Sequence, residues 1–480
     1  MEYEKRMQQI LDHVWGPTGS IILHILLVMA LVRYVVFDTK EAIPDIEVYM
    51  VEPDAQDLEE FEQELELLED LPEVVDAITP PEINMQMDAP PEVADFAAPQ
   101  PDVDFAALDV VSDMPSPLVM RGLFAGRSAG GRASMLREHA GKLGEHTERA
   151  VIRALQWLKE NQNKQGTWAG PNPVAMAGLG LLTFLAHGET PSSEEYGPTV
   201  ERAMRYLVSQ QQGNGGFGNA ITQHGVYAHG MAAYAISEAY GMTRIPSLKP
   251  VMDKAIELIV KGQQGGGSWD YAYKPGPRWD TSVAGWQIQA IKAAYLAGSE
   301  VPGLEEAMQR AIRGIEHSYV AERMRFGYSS PGSGSIAIQG IGVLCLQLLG
   351  RGTSEPVRGG LTALQDEDCV WEKPPNWALY AWYYITQAKF HQGGRTWSDW
   401  NSRFARTLVQ SQNSDGSWIP PGTAFRDGTG HGNERYGPAY GTTFAALMLQ
   451  VYYRFLPTYK PIEVETRPET DPDDIQIEII

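Results

Sequence analysis

From residue 143 to residue 456 two kinds of helical stretch alternate along the chain. The first kind is amphipathic. In Ala150–Asn161, Ile152, Leu155 and Leu158 fall on one face, with charged and amide residues on the other. That spacing belongs to a helix half-buried against a neighbour. The second kind is apolar almost all round and rich in small residues. The pattern predicts such helices over Pro173–Ala186, Val226–Tyr240, Thr281–Ala297, Ser335–Leu349, Trp377–Ala388 and Tyr440–Tyr453. A helix without a polar face belongs in an interior. Six polar-faced helices outside and six apolar ones inside predict an all-α closed double ring of six helix pairs.

A turn of fixed composition joins the members of each pair. A Gln closes the outer helix, a Gly follows four residues later, and an aromatic comes two residues after that. The copies are Gln162, Gly166 and Trp168; Gln211, Gly215 and Phe217; Gln263, Gly267 and Trp269; and Gln412, Gly416 and Trp418. A fifth copy, Gln365 to Trp371, has Cys369 in the glycine position, and a degenerate sixth surrounds Phe326 and Tyr328. Glycine supplies the positive φ that reverses the chain, and the Gln amide is placed to satisfy backbone groups left open at the helix end. These turns resemble the QW repeats of the squalene cyclases, in the prenyltransferase and squalene-oxidase repeat group. The resemblance covers residues 143–456. It implies that the double ring is an (α/α)6 toroid of six helix pairs and, as an expectation, action on isoprenoid lipids.

The chemistry that the family would need is only partly present. Its class II cyclases protonate an alkene with an aspartic acid in a D-x-D-D motif opening an inner helix. Here Asp280 falls on the last aspartate of that motif, and Trp279 stands where the proton donor should be. Asp280 is the candidate catalytic acid, although an Asp at a helix start is also a common N-cap. Tyr227, His229, Trp279, Trp377, Tyr380 and Tyr440 stand near the starts of inner helices and form the candidate ligand-binding set at one mouth of the ring. His229 is a possible partner of Asp280. The family's zinc enzymes use Asp, Cys and His. Asp368 and Cys369 would supply two ligands, but no placed histidine supplies the third, so neither a metal nor another cofactor is expected.

The first 142 residues are of another kind. An apolar run from Ile21 to Phe37, extended by Gly16–Ser20, is long enough for one membrane span, which needs about 20 residues. It ends without a small-residue cleavage site, which predicts an uncleaved anchor. His24 interrupts it, with Ser20 four residues earlier on the same face. Ser20 and His24 resemble the transmembrane motif of TonB-type energy transducers, a family whose motif engages an ExbB–ExbD motor. Residues 41–115 then carry 23 acidic residues, ten prolines and no Lys or Arg. Such a segment is predicted to be an extended, disordered spacer. A Gly-rich hinge with Arg121, Arg127, Arg132 and Arg137 follows, placed to fold back on the acidic spacer or to touch lipid headgroups.

The net charge of −23 therefore belongs to the spacer, and it argues against nucleic acid as a partner. The expected order is a short cytoplasmic N-terminus (1–16), an anchor (17–38), the linker and hinge (39–142), the toroid (143–457) and a polar tail (458–480). This predicts a single-pass protein of a bacterial inner membrane with its toroid in the periplasm. Three functional readings follow: a toroid that binds an apolar ligand or an envelope partner, an enzyme acting on isoprenoid lipids, and a TonB-like component coupled to an ExbB–ExbD motor.

Overall fold

The computed structural model describes Lys5 and residues 124–170, 172–421 and 437–454. The expected anchor, with Ser20 and His24, lies outside the described residues, as do the acidic spacer and the polar tail. Among the described residues no helix is long and apolar enough to cross a membrane.

The outer helices are α2 (Gly144–Asn161), α4 (Gly197–Gln210), α6 (Leu248–Lys261), α8 (Leu304–Ser318), α10 (Glu355–Ala363) and α12 (Gly394–Gln410). The inner ones are α3 (Pro173–His187), α5 (Gly225–Thr243), α7 (Thr281–Ala297), α9 (Ile336–Leu348), α11 (Ala378–Gln392) and α13 (Pro438–Leu449). Each inner helix packs against the next, and α13 returns to α3, so the inner ring is closed. The last outer helix, α12, likewise meets α2. The chain folds as an (α/α)6 toroid.

Burial follows the two sequence patterns. Every residue of α3 after Pro173 is buried, and α9 is buried from Ala337 to Leu348. The outer helices bury a stripe only. In α2 that stripe is Thr147, Ala150, Val151, Ala154, Leu155 and Leu158. Ile152, placed on the buried face by its spacing, is instead 45% exposed. Val151 takes the inward position one residue earlier, which keeps the i, i+4 step to Leu155.

The turns stitch neighbouring pairs together. Each turn Gln donates to the carbonyl of its own turn Gly and to a carbonyl on the next outer helix: Gln162 to Thr199 (2.9 Å), Gln211 to Val251 (2.7 Å) and Gln263 to Ala307 (2.8 Å). Gln412 completes the circle by donating to Ala150 of α2 (2.8 Å). The amide thus serves the neighbouring pair as well as its own turn, which the one-turn reading did not anticipate. The tryptophans turn inward, with indole N–H groups on carbonyls ten residues earlier: Trp168 to Leu158, Trp269 to Ile259 and Trp418 to Leu408. Gly416 has φ +90°, and a Cβ there would collide with the Arg153 carbonyl of α2. In the fifth turn Gln365 is exposed, and the Cys369 carbonyl instead receives Thr407 Oγ1 (2.7 Å). Degenerate turn six forms a short hairpin, β1 (Tyr319–Val320) with β2 (Arg325–Phe326).

The Gly/Arg hinge is part of the folded body. A 3-10 turn at Ala125–Arg127 leads into α1 (Ala129–His139), capped by Ser128, and α1 packs on α14 (Val451–Arg454). Arg127 and Arg132 are taken up by the toroid itself. The folded unit therefore reaches back at least to Phe124, rather than starting at 143.

Candidate functional site

The inner helices run parallel, so their N-termini gather at one mouth. Asp280 precedes α7 in extended backbone and is fully buried. Its Oδ1 accepts the N–H groups of Ser282 (2.9 Å) and Val283 (3.0 Å) and the Ser282 hydroxyl (2.6 Å). These are the bonds of an N-cap, and they satisfy donors the helix cannot. Oδ2 has no hydrogen bond, and Arg278 Nη2 lies 3.6 Å from it. Arg278 is paired with Asp270, and its guanidinium lies over the Tyr271 ring at 4.9 Å.

Four tyrosines enclose this carboxylate. Tyr227 OH meets Ser282 Oγ at 2.7 Å and Asp280 Oδ1 at 3.5 Å. Tyr380 OH donates to the Ser282 carbonyl (3.3 Å), and Tyr271 and Tyr328 share a short hydroxyl–hydroxyl bond. Burial first, with the Asp280 charge added to it, holds the Tyr227 and Tyr328 hydroxyls above their ordinary range. Tyr271 is raised by burial, then by Tyr227 and Asp280. The cluster is therefore neutral phenols around one carboxylate.

Beneath it aromatic rings pack against one another. Trp286 stacks on Tyr383 at 5.6 Å. Tyr384 lies edge-on to both Tyr380 and Tyr383 at 5.1 Å, and Phe444 packs on Tyr383 at 5.3 Å. Tyr383 OH donates to Gln289 Oε1 (3.0 Å). At the mouth is a shallow niche lined by Trp377, Ala378, Leu379, Pro420, Pro421 and Tyr440. Trp377 borders it in a left-handed conformation (φ +58°) and is 49% exposed.

The candidate residues thus separate. Asp280, Tyr227 and Tyr380 come together, and Trp377 and Tyr440 share the adjacent niche. His229 is not paired with Asp280. Its Nδ1 accepts the Phe217 N–H (3.2 Å), its Nε2 lies 3.2 Å from the Ala255 carbonyl, and burial pushes it down to about 4. It fastens the second turn to α5. Trp279 turns to the outer layer and packs edge-on against His317 of α8 at 5.0 Å. Cys369 is buried, and burial followed by the Asp368 charge raises its thiol well above the usual range.

Sequence reasoning missed Tyr271, Arg278, Ser282 and Tyr328. A signal was available: Tyr271 and Tyr328 each stand two residues after a turn aromatic, Trp269 and Phe326, and Pro420 of the niche holds the same offset from Trp418.

No family model matches the chain. Lanosterol synthase of Saccharomyces cerevisiae is 23% identical over 125 residues, which make up 25% of this chain and 17% of that enzyme. The match thus spans about a sixth of the length of that relative. Among solved structures, an alpha-1,6-mannanase variant of Salegentibacter sp. in complex with alpha-1,6-mannotriose is 11% identical, covering 65% of this chain and 99% of that one, with a TM-score of 0.48. A type II terpene cyclase variant from Scytonema in complex with geranylgeranyl dihydroxybenzoate is 12% identical, covering 65% and 97%, with a TM-score of 0.46. Cellobiose 2-epimerase from Spirochaeta thermophila is 15% identical, covering 70% and 99%, with a TM-score of 0.47. The closed ring and the repeated Gln/Gly/Trp turns decide the fold. It is a squalene cyclase-like α/α toroid.

Proposed function

We propose that this chain is a binding toroid that receives an apolar group, an isoprenoid or other lipid end, at the mouth of the ring and does not cyclise it. The observation that carries the reading is the niche between α11 and α13. Its lining of Trp377, Leu379, Pro420, Pro421 and Tyr440 is apolar, and Trp377 is half exposed at its rim. The niche is shallow, so an apolar end rests against the Trp377 and Tyr440 rings rather than being enclosed. Asp280 supports the same reading, since its Oδ1 is committed to the cap of α7. In this proposal residues 17–38 hold the protein in a bacterial inner membrane, the toroid works in the periplasm, and Ser20 and His24 form the contact for an ExbB–ExbD-type motor.

The test is photo-crosslinking of the full chain in lipid nanodiscs with a diazirine analogue of farnesol. Label on peptides containing Trp377–Tyr380 or Tyr440, lost in Trp377→Ser, supports the proposal. Label spread over the outer helices, or unchanged in Trp377→Ser, removes it.

A second reading has one observation in its favour. Asp280 Oδ2 is left over from the cap of α7, buried without a hydrogen bond and 3.6 Å from Arg278 Nη2. Turnover of a polyprenyl substrate that disappears in Asp280→Asn would establish the enzyme.

A further inference from the structure

We infer that the segment where the chain enters the toroid, Phe124–His139, is a releasable plug seated in the end of the ring opposite the mouth. Arg127 is its anchor and is 1% exposed. One guanidinium reaches three elements of the inner layer. Nη1 donates to the Leu185 carbonyl at the end of α3 (3.2 Å) and to Met242 Sδ of α5 (3.1 Å). Nη2 meets Glu238 Oε2 of α5 at 2.5 Å and donates to the Arg454 carbonyl of α14 (3.1 Å). Phe124 lies under the guanidinium at 5.0 Å and rests on Gly241 of α5, where a Cβ would stand 3.0 Å from its ring.

Arg132 makes a second attachment. It donates to the Arg127 carbonyl (2.8 Å), to the His187 carbonyl (2.6 Å) and to Glu148 of α2 (3.1 Å). The segment's apolar packing is confined to Phe124, Met135 and Leu136, with the His139 ring edge-on to Phe390 of α11, and α1, AGGRASMLREH, has no apolar face. Its other attachments are directional: the two arginines, and the His139 carbonyl, which receives Trp397 Nε1 (3.2 Å) and Asn401 Nδ2 (3.4 Å) of α12. A helix held mainly by such bonds, without a hydrophobic stripe, is a unit of low local stability. Such bonds are directional and break when the fork is displaced by a fraction of its length, whereas the ring behind is held by continuous apolar packing.

The position gives the weakness a use. Everything N-terminal to Phe124 is joined covalently to the toroid through this segment, so tension applied from that side acts first on Phe124 and Arg127. Withdrawal bares an acceptor-lined seat made of Glu238, two backbone carbonyls and a methionine sulfur. The plug is thus the first element to yield under tension from the linker. The inference stands on this geometry alone and does not depend on what the mouth binds.

The experiment is single-molecule pulling on the full chain, held at its N-terminus and at a cysteine introduced at Arg395, on the exposed side of α12. Unfolding of residues 124–143 would add about 60 Å at ~3.3–3.6 Å per residue. The expected trace has a separate early step of that size, reversible on relaxation, before the toroid opens. In Arg127→Lys, which keeps the charge and loses the fork, the step comes at lower force and the later opening is unchanged. Hydrogen exchange of the α1 amides without load accelerates at least tenfold in the same variant, with α3 to α13 unaffected. Pulling between position 395 and the C-terminus gives no such step. A wild-type trace in which the segment and the ring open together, or a step indifferent to Arg127→Lys, overturns the inference.

Discussion

Gly416→Ala isolates the closure of the ring. Gly416 sits at φ +90° in the last turn, directly against the Arg153 backbone of the first outer helix. Left-handed backbone costs an L-residue ~1–2 kcal/mol. The added methyl also meets a carbonyl oxygen on backbone, which cannot swing aside as a side chain can, so α2 must shift and strain the Gln412 bond to Ala150. With that neutral hydrogen bond worth about 1 kcal/mol, the expected loss is about 3 kcal/mol. Gly213→Ala is the control, because Gly213 has no positive φ and nothing within 4 Å of a Cβ. Both changes restrict the unfolded chain alike, so the difference between them reports the folded state. Urea unfolding followed by tryptophan fluorescence, with the slope unchanged, measures it. If the two variants fall within ~0.5 kcal/mol of each other, a threshold below the loss of a single hydrogen bond, the seam between the last turn and the first helix does not bear on stability and the closure argument fails.

Further expectations follow from the site and the seams. Asp280→Asn keeps an amide oxygen for the cap and changes stability little, whereas Asp280→Ala loses about 1–2 kcal/mol in thermal or urea unfolding; equal losses would show that the cap is not what Asp280 contributes. Burial alone would raise Glu148 and lower His187, but their mutual hydrogen bond, with Arg132 and Glu189 beside them, moves Glu148 down from 4.5 and His187 up from 6.5. The Glu148 contribution is present above pH 4.5 and lost as pH falls through its lower folded value. The His187 contribution is present below pH 6.5 and lost as pH rises through its higher one. A Glu148→Gln/His187→Gln double-mutant cycle is therefore expected to show its largest coupling between pH 4.5 and 6.5, and a coupling flat from pH 4 to 9 would contradict the assignment. His229, depressed from 6.5 to about 4 by burial, makes the fold lose stability as pH falls through that interval, by up to about 1.4 kcal/mol per unit. His391, pushed down to about 3 by burial, acts in the same sense, so His229→Gln removes one histidine's share of the slope in acid titrations of unfolding, and an unchanged slope would place its source elsewhere.

The sequence made the toroid legible because two independent signals agreed: the alternation of striped and all-apolar helices, and a turn repeated with fixed internal spacing. Helix bounds moved by a few residues, as at α5, where Gly225–Thr243 replaces the shorter predicted stretch. Ile152 was misplaced because spacing of 3 and 3 fits two adjacent faces, and only the neighbour decides between them. The site was harder to read. His229 and Asp280 both read from the sequence as opening inner helices, yet Asp280 is the N-cap of α7, whereas His229 lies one turn inside α5 and holds the Phe217 N–H of the preceding turn. Trp279 precedes Asp280 and faces the opposite layer, since successive residues in extended backbone point apart. Of the tyrosines that enclose Asp280, Tyr227 and Tyr380 lie on α5 and α11, but Tyr271 and Tyr328 come from connecting segments, whose course periodicity does not describe. Sequence reasoning places Arg127 against the acidic spacer or headgroups because its acceptors, Glu238 and carbonyls at the ends of α3 and α14, are far away in sequence.

The measurement that bears most directly on the account is the fate of a polyprenyl alcohol incubated with the full chain in nanodiscs, with retention on the protein and chemical identity both read by mass spectrometry. The account predicts that the alcohol is retained by wild type and by Asp280→Asn, is released by Trp377→Ser, and is recovered unaltered in every case. A cyclised or otherwise rearranged product from wild type, absent with Asp280→Asn, would contradict it.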